Sequence, residues 1–555
     1  MGSSSAQEIS TRSPQDWGSQ TIGVALRDCV TRVGSRDLLV FRERRISAQQ
    51  LAEEVEQLAL GLLALSVEKG HTVAVWLPNL PETCVAELAI ARVGAVMMAI
   101  NTRYKASELE YVLRQSDSRA LILMPQFLSQ DFLAVVRDLL PEVPQCQASQ
   151  LRLAAAPLLK SLIVLGDPQP GMFTYTEVQN MGRERGAELA RRESEVTSDD
   201  VVLLQYTSGT TAFPKAAMLA HGQVLRNAAQ MATRAGIDGS DRVLSAMPMF
   251  HVGGSVCALL GALTMGYTLY MGPVFDAGKT LELIESEQIT TYIGLESMFI
   301  ALRSHEDFSR RSRASLRKGW TAGTSSILRM VANEIGIELI CPLFGLSEGS
   351  PNVCICDWKD PVEKRMNTMG RPQPGVEVKV IDPATEQLVP VGERGEICFR
   401  GYNVMKGYYK KPEETERAID KAGWLHTGDL GFLDADGFLT WTGRLKDIVR
   451  VGGENISAVE VENFLGGHPA VRAAVVVGVP DERLGEVCMA FVQLNPDATL
   501  TEEELIAYCK GRVSGFKVPR KVRFVPEFEM TGSGKIMKFA MRKKVLEEMG
   551  RAQPE

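Results

Sequence analysis

Residues Tyr206-Thr-Ser-Gly-Thr-Thr-Ala-Phe-Pro-Lys215 form the most informative stretch of the chain. They follow the apolar run Val201–Leu204, which predicts a buried strand that ends where the small residues begin. Consecutive Thr, Ser and Gly residues allow several backbone N–H groups and hydroxyls to converge on one anion, and Lys215 adds a positive charge. The strand before it and the lysine after a proline distinguish this segment from an ordinary Ser/Thr-rich surface loop.

The segments on both sides of this loop alternate between strand and helix patterns. Before the loop, apolar runs predict strands at Thr72–Leu77, Ala120–Met124 and Ser161–Leu165. Periodic apolar patterns predict one helix before the loop, over Glu82–Val93, and one after it, over Gln223–Arg234. A capping box at Ser47-Ala-Gln-Gln50 opens another helix. Such alternation is typical of parallel sheets with helices on their faces, so we expect an α/β fold.

The pattern of the sequence changes after about residue 370, where glycines become frequent. Closely spaced glycines separate short strands such as Val376–Ile381 and Gly395–Arg400, which predicts a β-rich subdomain. A further α+β unit begins near Arg444, with a strand at Val471–Val479 and a helix at Thr501–Val513. The expected architecture is therefore a large N-terminal domain of parallel-rich sheets flanked by helices, with a β-rich subdomain, followed by a small α+β C-terminal domain.

Composition excludes several classes of protein. The 555 residues carry 61 Lys and Arg against 68 Asp and Glu, so no global basic field indicates a nucleic-acid partner. Positive charge collects locally, with eleven basic and two acidic residues between Ala507 and Val545. Ten cysteines without paired spacing predict reduced thiols, and six histidines without metal-ligand spacing argue against zinc.

We expect a cytoplasmic protein without a transmembrane segment. The N-terminal residues 1–24 are polar and lack the apolar run of a signal peptide. The stretch Val243–Phe275 contains no charged residue, but its prolines and glycines favour buried core over a membrane span.

Three local motifs invite other interpretations. Pro214 precedes Lys215 where a Walker loop needs Gly, and Thr531-Gly-Ser-Gly-Lys535 lacks the first Gly and the final Ser or Thr of that motif. Gly345-Leu-Ser-Glu-Gly349 fits a hydrolase nucleophile elbow, but the residues that follow it predict a turn and extended chain instead of the required helix. We therefore expect neither a P-loop kinase nor an α/β-hydrolase.

Five motifs occur in one order along nearly the whole chain, from about residue 25 to residue 545. They are the loop at 206–215, Phe344-Gly-Leu-Ser-Glu348, Trp424-Leu-His-Thr-Gly-Asp429, Gly443-Arg-Leu-Lys-Asp447 and Gly532-Ser-Gly-Lys535. In this order they resemble the adenylate-forming superfamily of acyl-CoA and aryl-CoA synthetases, adenylation domains and luciferases. The resemblance implies an acid–thiol ligase that uses ATP, Mg²⁺ and CoA and makes acyl-CoA through acyl-AMP.

The same resemblance assigns roles to individual positions. The β- and γ-phosphates of ATP would bind to the phosphate loop. The adenine would lie between Ala322–Thr324 and Phe344, and Glu348 would hold Mg²⁺. The implied catalytic residues are Lys535, Glu348 and Ser347, with Ser347 at the α-phosphate. The implied ATP- and AMP-binding residues are Thr207, Ser208, Gly209, Thr210, Thr211, Lys215, Ala322, Gly323, Thr324, Phe344, Gly345, Asp429 and Arg444.

The resemblance also implies an acyl pocket and a hinge. Phe250, His251, Trp320 and Gly349 would border the acid, with Gly345 close by. Residues 25–445 would form the adenylation domain and residues 446–555 a mobile domain that turns about Lys446. The CoA-facing segment after rotation would contain Gly452, Gly453 and Glu454.

The chain departs from the family pattern at three positions. Ala212 and Ala216 replace the usual glycines of the phosphate loop, where a methyl group restricts positive φ. Glu296 stands where Pro is common, and we expect it to face solvent. Loading of a carrier protein, luciferase-like oxidation and a catalytically weak nucleotide- or acyl-CoA-binding protein stay open as alternatives. So do a fatty or an aromatic acid as substrate, and a homodimer.

Overall fold

The computed structural model describes residues 12–207, 214–451, 454–530 and 536–550. Its first half contains strands β1 Asp37–Phe41, β2 Arg44–Ser47, β3 Thr72–Trp76, β4 Val96–Ala99, β5 Ser118–Leu123, β6 Gln126–Phe127, β7 Gln130–Asp131, β8 Ser161–Val164, β9 Phe173–Thr174, β10 Val201–Thr207, β11 Lys215–Ala220, β12 Arg242–Ser245 and β13 Thr268–Met271. The second half adds β14 Thr291–Ile293, β15 Lys318–Thr321, β16 Leu339–Gly345, β17 Asn352–Ile355, β18 Arg371–Pro372, β19 Val376–Ile381, β20 Gly395–Gly401, β21 Leu425–Leu433, β22 Leu439–Arg444, β23 Ile448–Val451, β24 Glu454–Ser457, β25 Val471–Asp481, β26 Gly485–Leu494 and β27 Lys521–Phe524.

Helices connect these strands throughout the described part of the chain. They are α1 Ile22–Val33, α2 Ala48–Ala64, α3 Pro81–Arg92, α4 Ala106–Gln115, α5 Phe132–Leu139, α6 Tyr175–Asn180, α7 Gly186–Glu195, α8 His221–Arg234, α9 Gly261–Met265, α10 Ala277–Ser286, α11 Glu296–Arg303, α12 Ser325–Met330, α13 Val362–Asn367, α14 Pro412–Ala418, α15 Ala458–Gly466, α16 Glu502–Cys509 and α17 Lys538–Glu548. π-Helical turns occur at Gly253–Leu260 and Val331–Ile335. The alternation predicted from the sequence is confirmed.

Two large sheets organise the N-terminal part. One has nine strands in the order β18-β17-β16-β15-β14-β12-β13-β1-β2, and β16, β15, β14, β12, β13 and β1 run parallel. The other has seven strands in the order β11-β10-β4-β3-β5-β8-β9, with only β11 antiparallel to its neighbour. These parallel sheets confirm the predicted α/β class.

The main hydrophobic core lies between the two sheets. It joins Val73 of β3 and Leu203 of β10 to Leu269 of β13, through the buried faces of α1, α2, α3 and α8. Separate clusters cover the outer face of each sheet, one under α4 and α5 and one under α10, α11 and α12. Because the central strands β3 and β8 are covered on both faces, their sequences are almost continuously apolar.

Local signals set the ends of these helices. Ser47 and Gln50 form the predicted capping box at the start of α2. After α3 the chain turns at Gly94, whose φ of +75° belongs to the left-handed region that favours glycine. The predicted helix at Thr501–Val513 is shorter than expected and ends at Cys509, because the chain turns through Gly511 at φ +78°.

The C-terminal part contains two smaller sheets, one in the predicted β-rich subdomain and one in the predicted α+β unit. Strands β19, β20, β21 and β22 form an antiparallel meander. Beyond it, β24, β23, β26 and β25 form a second sheet to which β27 adds in parallel. Helices α15 and α16 cover one face of this sheet and α17 covers the other.

The uncharged stretch Val243–Phe275 and the ten cysteines all lie within the described residues. The stretch Val243–Phe275 forms β12, the first π-helical turn, α9 and β13, and most of it is buried. In the described ranges no helix is both long and apolar enough to span a bilayer. All ten cysteines lie in those ranges as free thiols.

Candidate active site

The carboxyl ends of four parallel strands meet at one edge of the nine-stranded sheet. Strands β12, β14, β15 and β16 are consecutive neighbours there, and each is followed by a segment that the sequence singled out. These segments contain Phe250 and His251, Glu296, Ala322–Thr324, and Ser347 and Glu348 in that order. Because ligands of parallel α/β sheets bind outside the carboxyl ends of the strands, this edge is the candidate active site.

The predicted adenine-binding segments come from neighbouring strands. Trp320 and Thr321 of β15 pair in register with Cys341 and Pro342 of β16. Ala322, Gly323 and Thr324 therefore lie next to the end of β16, which carries Phe344 and Gly345. Phe344 is almost fully buried. Two segments about 20 residues apart in sequence thus lie side by side because β15 and β16 pair.

Glu348 lies in a tight turn between β16 and β17. The turn closes through a hydrogen bond from Leu346 N to Pro351 O, and β17 returns antiparallel to β16. Ser350 has a φ of +62° and donates from its hydroxyl to Asn403 O over 2.8 Å. Ser347–Gly349 form a single 3₁₀ turn and the chain then continues into β17, so Ser347 does not open the α-helix that a nucleophile elbow requires.

A tyrosine that the sequence analysis missed contacts the Glu348 carboxylate. The hydroxyl of Tyr408 donates to Glu348 Oε1 over 2.8 Å, and Met405 N donates to the carbonyl of Glu348 over 2.9 Å. Burial and the neighbouring carboxylate raise the pKa of Tyr408, so the hydroxyl keeps its proton. The tyrosine pair in Gly407-Tyr-Tyr409, between two motifs, was the available sequence signal.

Strand pairing positions both ends of the phosphate loop. Thr207 of β10 pairs with Lys215 of β11, which closes the base of the loop. Ser208, Gly209, Thr210 and Thr211 lie outside the described residues. Lys215 Nζ lies 2.8 Å from Oε2 of Glu414 and 4.9 Å from the centre of the Tyr408 ring. The ammonium group of Lys215 lowers the pKa of Glu414, which is therefore ionised.

Ala216, which replaces a usual glycine of the phosphate loop, has an unstrained strand conformation. Ala216 is fully buried in β11, pairs with Tyr206, and accepts a hydrogen bond from Tyr409 N over 2.9 Å. Its methyl group packs in the core cluster on the outer face of the seven-stranded sheet. The expected restriction therefore does not apply at Ala216, while Ala212 lies outside the described residues.

Asp429 and Arg444 face each other across β21 and β22. Their backbones are paired in register, and Arg444 Nε lies 3.3 Å from Asp429 Oδ1. Trp441 Nε1 donates to the same oxygen over 3.1 Å. Asp429 is 7% exposed, so its carboxylate is presented in a fixed orientation. Trp441 belongs to none of the five motifs, although it stands two residues before Gly443, where one of them begins.

A polar cluster supports the turn before Asp429. Glu396 Oε1 accepts a hydrogen bond from Gly428 N over 3.0 Å, and its Oε2 lies 3.3 Å from His426 Nδ1. Cys398 Sγ lies 3.6 Å from the same nitrogen. The spacing of the histidines in the sequence did not predict that Glu396, Cys398 and His426 would cluster. These three potential metal ligands lie together because β20 and β21 pair.

The predicted acyl-pocket residues have different local surroundings. Phe250 O accepts a hydrogen bond from Gln205 Nε2 over 3.0 Å, and His251 Nδ1 accepts one from Gly253 N over 3.2 Å. Trp320 is buried at the same sheet edge. Gly349, by contrast, faces the core, where an added Cβ would lie 3.0 Å from Val353 and 3.3 Å from Phe399.

Glu296 does not face open solvent, contrary to expectation. It is partly buried at the first turn of α11, and it accepts a hydrogen bond from the Thr324 backbone. Burial, and then the nearby carboxylate of Glu462 in α15, raise the pKa of Glu296 to about 7. Lys538 of α17 lies 2.6 Å from Glu462. Tertiary packing thus partly buries a carboxyl beside Thr324 of the adenine-side segment and near Glu462 of α15.

The predicted hinge and thiol-side residues lie at the junction between two sheets. Lys446 belongs to the exposed turn Leu445–Asp447 between β22 and β23, and Glu454 is exposed at the start of β24. Partial desolvation and then the charge of Arg444 lower the pKa of Lys446. Gly452, Gly453 and Lys535 lie outside the described residues.

Family models match both parts of the chain. The model for the AMP-binding enzyme matches residues 26–409, and the model for the AMP-binding enzyme C-terminal domain matches residues 460–535. The first match alone covers well over half of the chain. The chain belongs to the AMP-binding enzyme family.

Relatives of this AMP-binding enzyme extend over nearly its full length. The "Putative acyl-CoA synthetase YngI" of Bacillus subtilis (strain 168) is 39% identical over 534 residues, covering 95% of this chain and 97% of the relative. The mitochondrial medium-chain acyl-CoA ligase ACSF2 of Homo sapiens is 34% identical over 539 residues, covering 95% and 88%. The expectation of an AMP-forming acid–thiol ligase is confirmed at the level of the family.

Solved structures confirm the fold of the enzyme. The anthranilate CoA ligase AuaEII in complex with anthranoyl-AMP superposes with a TM-score of 0.84 at 26% identity, covering 96% of this chain and 98% of that one. ATP-bound MatB from Rhodopseudomonas palustris gives a TM-score of 0.82 at 25% identity, covering 96% and 100%. The expected adenylate-forming fold, with a large α/β part and a smaller C-terminal part, is therefore correct.

Proposed function

We propose that this enzyme is an ATP-dependent acyl-CoA synthetase that converts a carboxylic acid to its CoA thioester. The observation that carries the proposal is the contact of Tyr408 with both Glu348 and Lys215. Tyr408 thereby links Lys215, at the end of the phosphate loop, to Glu348 at the active-site edge of the nine-stranded sheet. The adenine-side and acid-side segments lie at that same edge. One site can then hold the phosphates, the nucleoside and the acid together.

In the first half-reaction, an oxygen of the acid attacks the α-phosphorus of ATP. The bond from that phosphorus to the bridging oxygen breaks, and pyrophosphate leaves with the electron pair. Lys215 would bind the outer phosphates, Ser347 the α-phosphate and Asp429 the ribose hydroxyls. Lys535 would bridge the acid and the α-phosphate, where charge develops. Removing one such contact costs about 3–4 kcal/mol, or roughly 10²–10³ in rate.

In the second half-reaction, the sulfur of CoA attacks the carbonyl carbon of acyl-AMP. The carbon–oxygen bond to AMP breaks, the thiol proton passes to solvent, and acyl-CoA and AMP are released. We propose that residues 446–555 turn about Lys446 between the two steps, relative to residues 25–445. The exposed turn at Leu445–Asp447 supports this, since a hinge needs backbone that can absorb a change in φ and ψ.

The residues at the sheet edge fit Mg²⁺. Tyr408 engages only Oε1 of Glu348, and no hydrogen bond within the described ranges engages Oε2. A single protein carboxylate is typical for Mg²⁺ that also binds substrate phosphates. When bound, the ion neutralises phosphate charge, and Glu348 would hold it. Glu348→Gln should then raise the Mg²⁺ concentration needed for half-maximal pyrophosphate release about tenfold, and an unchanged requirement would refute the assignment.

We propose medium-chain fatty acids as the preferred substrates. The support is the name of the ACSF2 relatives and the apolar side chains of Phe250 and Trp320, which the resemblance places at the acid side. Mass spectrometry after incubation with ATP, Mg²⁺, CoA and pooled aliphatic and aromatic acids would identify the product. A medium-chain acyl-CoA supports the proposal, and an aromatic thioester overturns the substrate class. Acyl-AMP that persists despite CoA would indicate loading of a carrier protein.

A single variant tests the order of chemistry. Lys535→Ala should abolish acyl-AMP formation but leave thioester formation from supplied acyl-AMP largely intact. Equal loss of both activities would refute the role of Lys535. Lys510→Ala, a basic residue of the same domain outside the motifs, is the control and should change neither activity.

Two further expectations stand as proposals. We place the enzyme in the cytoplasm, which is supported by its ten free thiols, since reducing compartments keep cysteines unpaired. A homodimer stays a prediction that light scattering on the purified enzyme would check.

A further inference from the structure

The candidate phosphate-binding lysine already has an anionic partner within the chain. Lys215 Nζ and Glu414 Oε2 form an ion pair of 2.8 Å between the start of β11 and the first turn of α14. The two side chains are 20% and 29% exposed, so solvent screens the pair only in part. The loop that would hold the β- and γ-phosphates ends at this same lysine.

We propose that Glu414 is an internal competitor of the phosphates: it occupies Lys215 when the nucleotide site is empty and is displaced when ATP or pyrophosphate binds. The inference rests on the proposed function, because it needs Lys215 to contact phosphate. It assigns to Glu414 a role in phosphate affinity and release that no family motif of this chain contains.

The geometry explains why losing Glu414 would leave Lys215 in place. The backbone of Lys215 pairs with Thr207, and its ammonium group lies over the Tyr408 ring at 4.9 Å. Both contacts are independent of Glu414. Removing the carboxylate therefore leaves the cation positioned by its strand and by the ring, with its charge available to phosphate.

The geometry also gives the displaced carboxylate a second partner. Arg417 Nη1 lies 3.5 Å from Oε1 of Glu414, one turn further along α14. When phosphate takes Lys215, Glu414 keeps this weaker pair. When pyrophosphate leaves, the carboxylate can return to Lys215. Because a fixed carboxylate repels a polyanion, Glu414 lowers the affinity for pyrophosphate and speeds its release.

The test is calorimetric binding of pyrophosphate and of ATP to the full chain, with Mg²⁺ and without acid. Glu414→Gln keeps the shape of the side chain and removes its charge, and Glu414→Ala removes the group altogether. Both variants should bind pyrophosphate about threefold to tenfold more tightly than the wild type. Circular dichroism should show the wild-type fold.

The neighbouring residue supplies a matched control. Glu413 lies in the same helical turn, is 84% exposed, and approaches Arg417 but not Lys215. Glu413→Gln makes the same chemical change and should leave both affinities unchanged. In steady-state assays Glu414→Gln should also increase product inhibition by pyrophosphate by the same factor, whereas Glu413→Gln should not.

Each outcome decides a different point. Unchanged affinity in both Glu414 variants would overturn the inference, and so would weaker binding, since Glu414 would then position Lys215 for phosphate. Equal tightening in Glu413→Gln would reduce the effect to a general change of surface charge and would overturn it too. A wild-type chain that binds neither ATP nor pyrophosphate would refute the proposed function, and with it the inference.

Discussion

The hydroxyl of Tyr408 donates a 2.8 Å hydrogen bond to the Glu348 carboxylate, from a residue 60 positions further along the chain. The same tyrosine ring lies against the ammonium group of Lys215. One side chain therefore fixes the distance between the candidate metal ligand and the candidate phosphate ligand. This relationship gives the site a rigid frame before any substrate binds.

Tyr408→Phe should lower kcat/KM for ATP in acyl-AMP formation by about tenfold. The variant keeps the ring beside Lys215 but removes the hydrogen bond that orients Glu348, and hydrogen bonds to charged groups contribute about 1.5–3 kcal/mol. Isotope exchange between pyrophosphate and ATP would measure the effect. Tyr409→Phe is the control, because that hydroxyl contacts Asp117 at 3.0 Å instead. Equal losses in both variants would contradict the role of Tyr408.

Asp429→Asn should weaken ATP binding by about tenfold and reduce discrimination against 2′-deoxy-ATP. A carboxylate accepts from both ribose hydroxyls, whereas an amide offers one acceptor oxygen and a competing donor. The measurement is the Kd of the two nucleotides for each variant. Asp434→Asn lies just beyond the same strand and pairs with Lys364 over 2.6 Å, so it should change neither Kd. Discrimination that persists in Asp429→Asn would refute the ribose contact.

Glu296 should make the contact between α15 and the large domain depend on pH. Its pKa is raised to about 7 in the packed arrangement, so ionisation above that pH adds a second carboxylate beside Glu462. The packed arrangement therefore loses stability as the pH rises from about 4.5, where the free carboxyl ionises, to about 7, by roughly tenfold per pH unit, and is not weakened further above pH 7. Glu296→Gln stays neutral and should remove this dependence.

Limited proteolysis with trypsin at the 445–447 turn would measure this effect. The ratio of cleavage rates, wild type over Glu296→Gln, should be closest to one at pH 5 and rise by pH 7. The charge-matched control Glu503→Gln, on the exposed side of α16, should give a ratio near one at both pH values. A constant ratio for Glu296→Gln would show that the carboxyl does not weaken the contact.

Glu87→Gln should stabilise the fold at alkaline pH. Glu87 is completely buried in α3, where Ser255 donates to its Oε1 over 2.7 Å and its Oε2 has no partner among the described residues. Burial raises its pKa from 4.5 to about 7. Between these pH values the unfolded chain releases this proton while the folded chain retains it, so stability falls as pH rises.

The full loss is on the order of 3 kcal/mol above pH 7 and is absent below pH 4.5. At pH 8, Glu87→Gln should therefore raise the Tm by roughly 3 °C relative to the wild type. The difference should shrink toward pH 5, where the wild-type carboxyl is protonated. Scanning calorimetry at both pH values measures it, with the exposed Glu53→Gln as control. A gain in Tm that is independent of pH would contradict a titrating Glu87.

The sequence by itself determined the fold class, the order of the elements and the identity of the motifs. Alternating strand and helix patterns predicted the parallel sheets, and the capping box at Ser47 placed the start of α2 correctly. These features are local, because the side chains of a few consecutive residues decide them. The motif order sufficed for the family, since each motif can be read without knowing what it touches.

Only the tertiary structure decided which side chains meet. Strand order brought Tyr408 to Glu348, Glu414 to Lys215 and His426 to Glu396, and tertiary packing partly buried Glu296 near Glu462, where the sequence favoured solvent. At Gly349, grouped with the acyl pocket, an added Cβ would meet the core side chains of Val353 and Phe399. Each contact joins residues that are distant in the chain, and its distance is set by sheet register and core packing. No local pattern of residue types contains that information, because strand pairing is chosen by the whole chain at once.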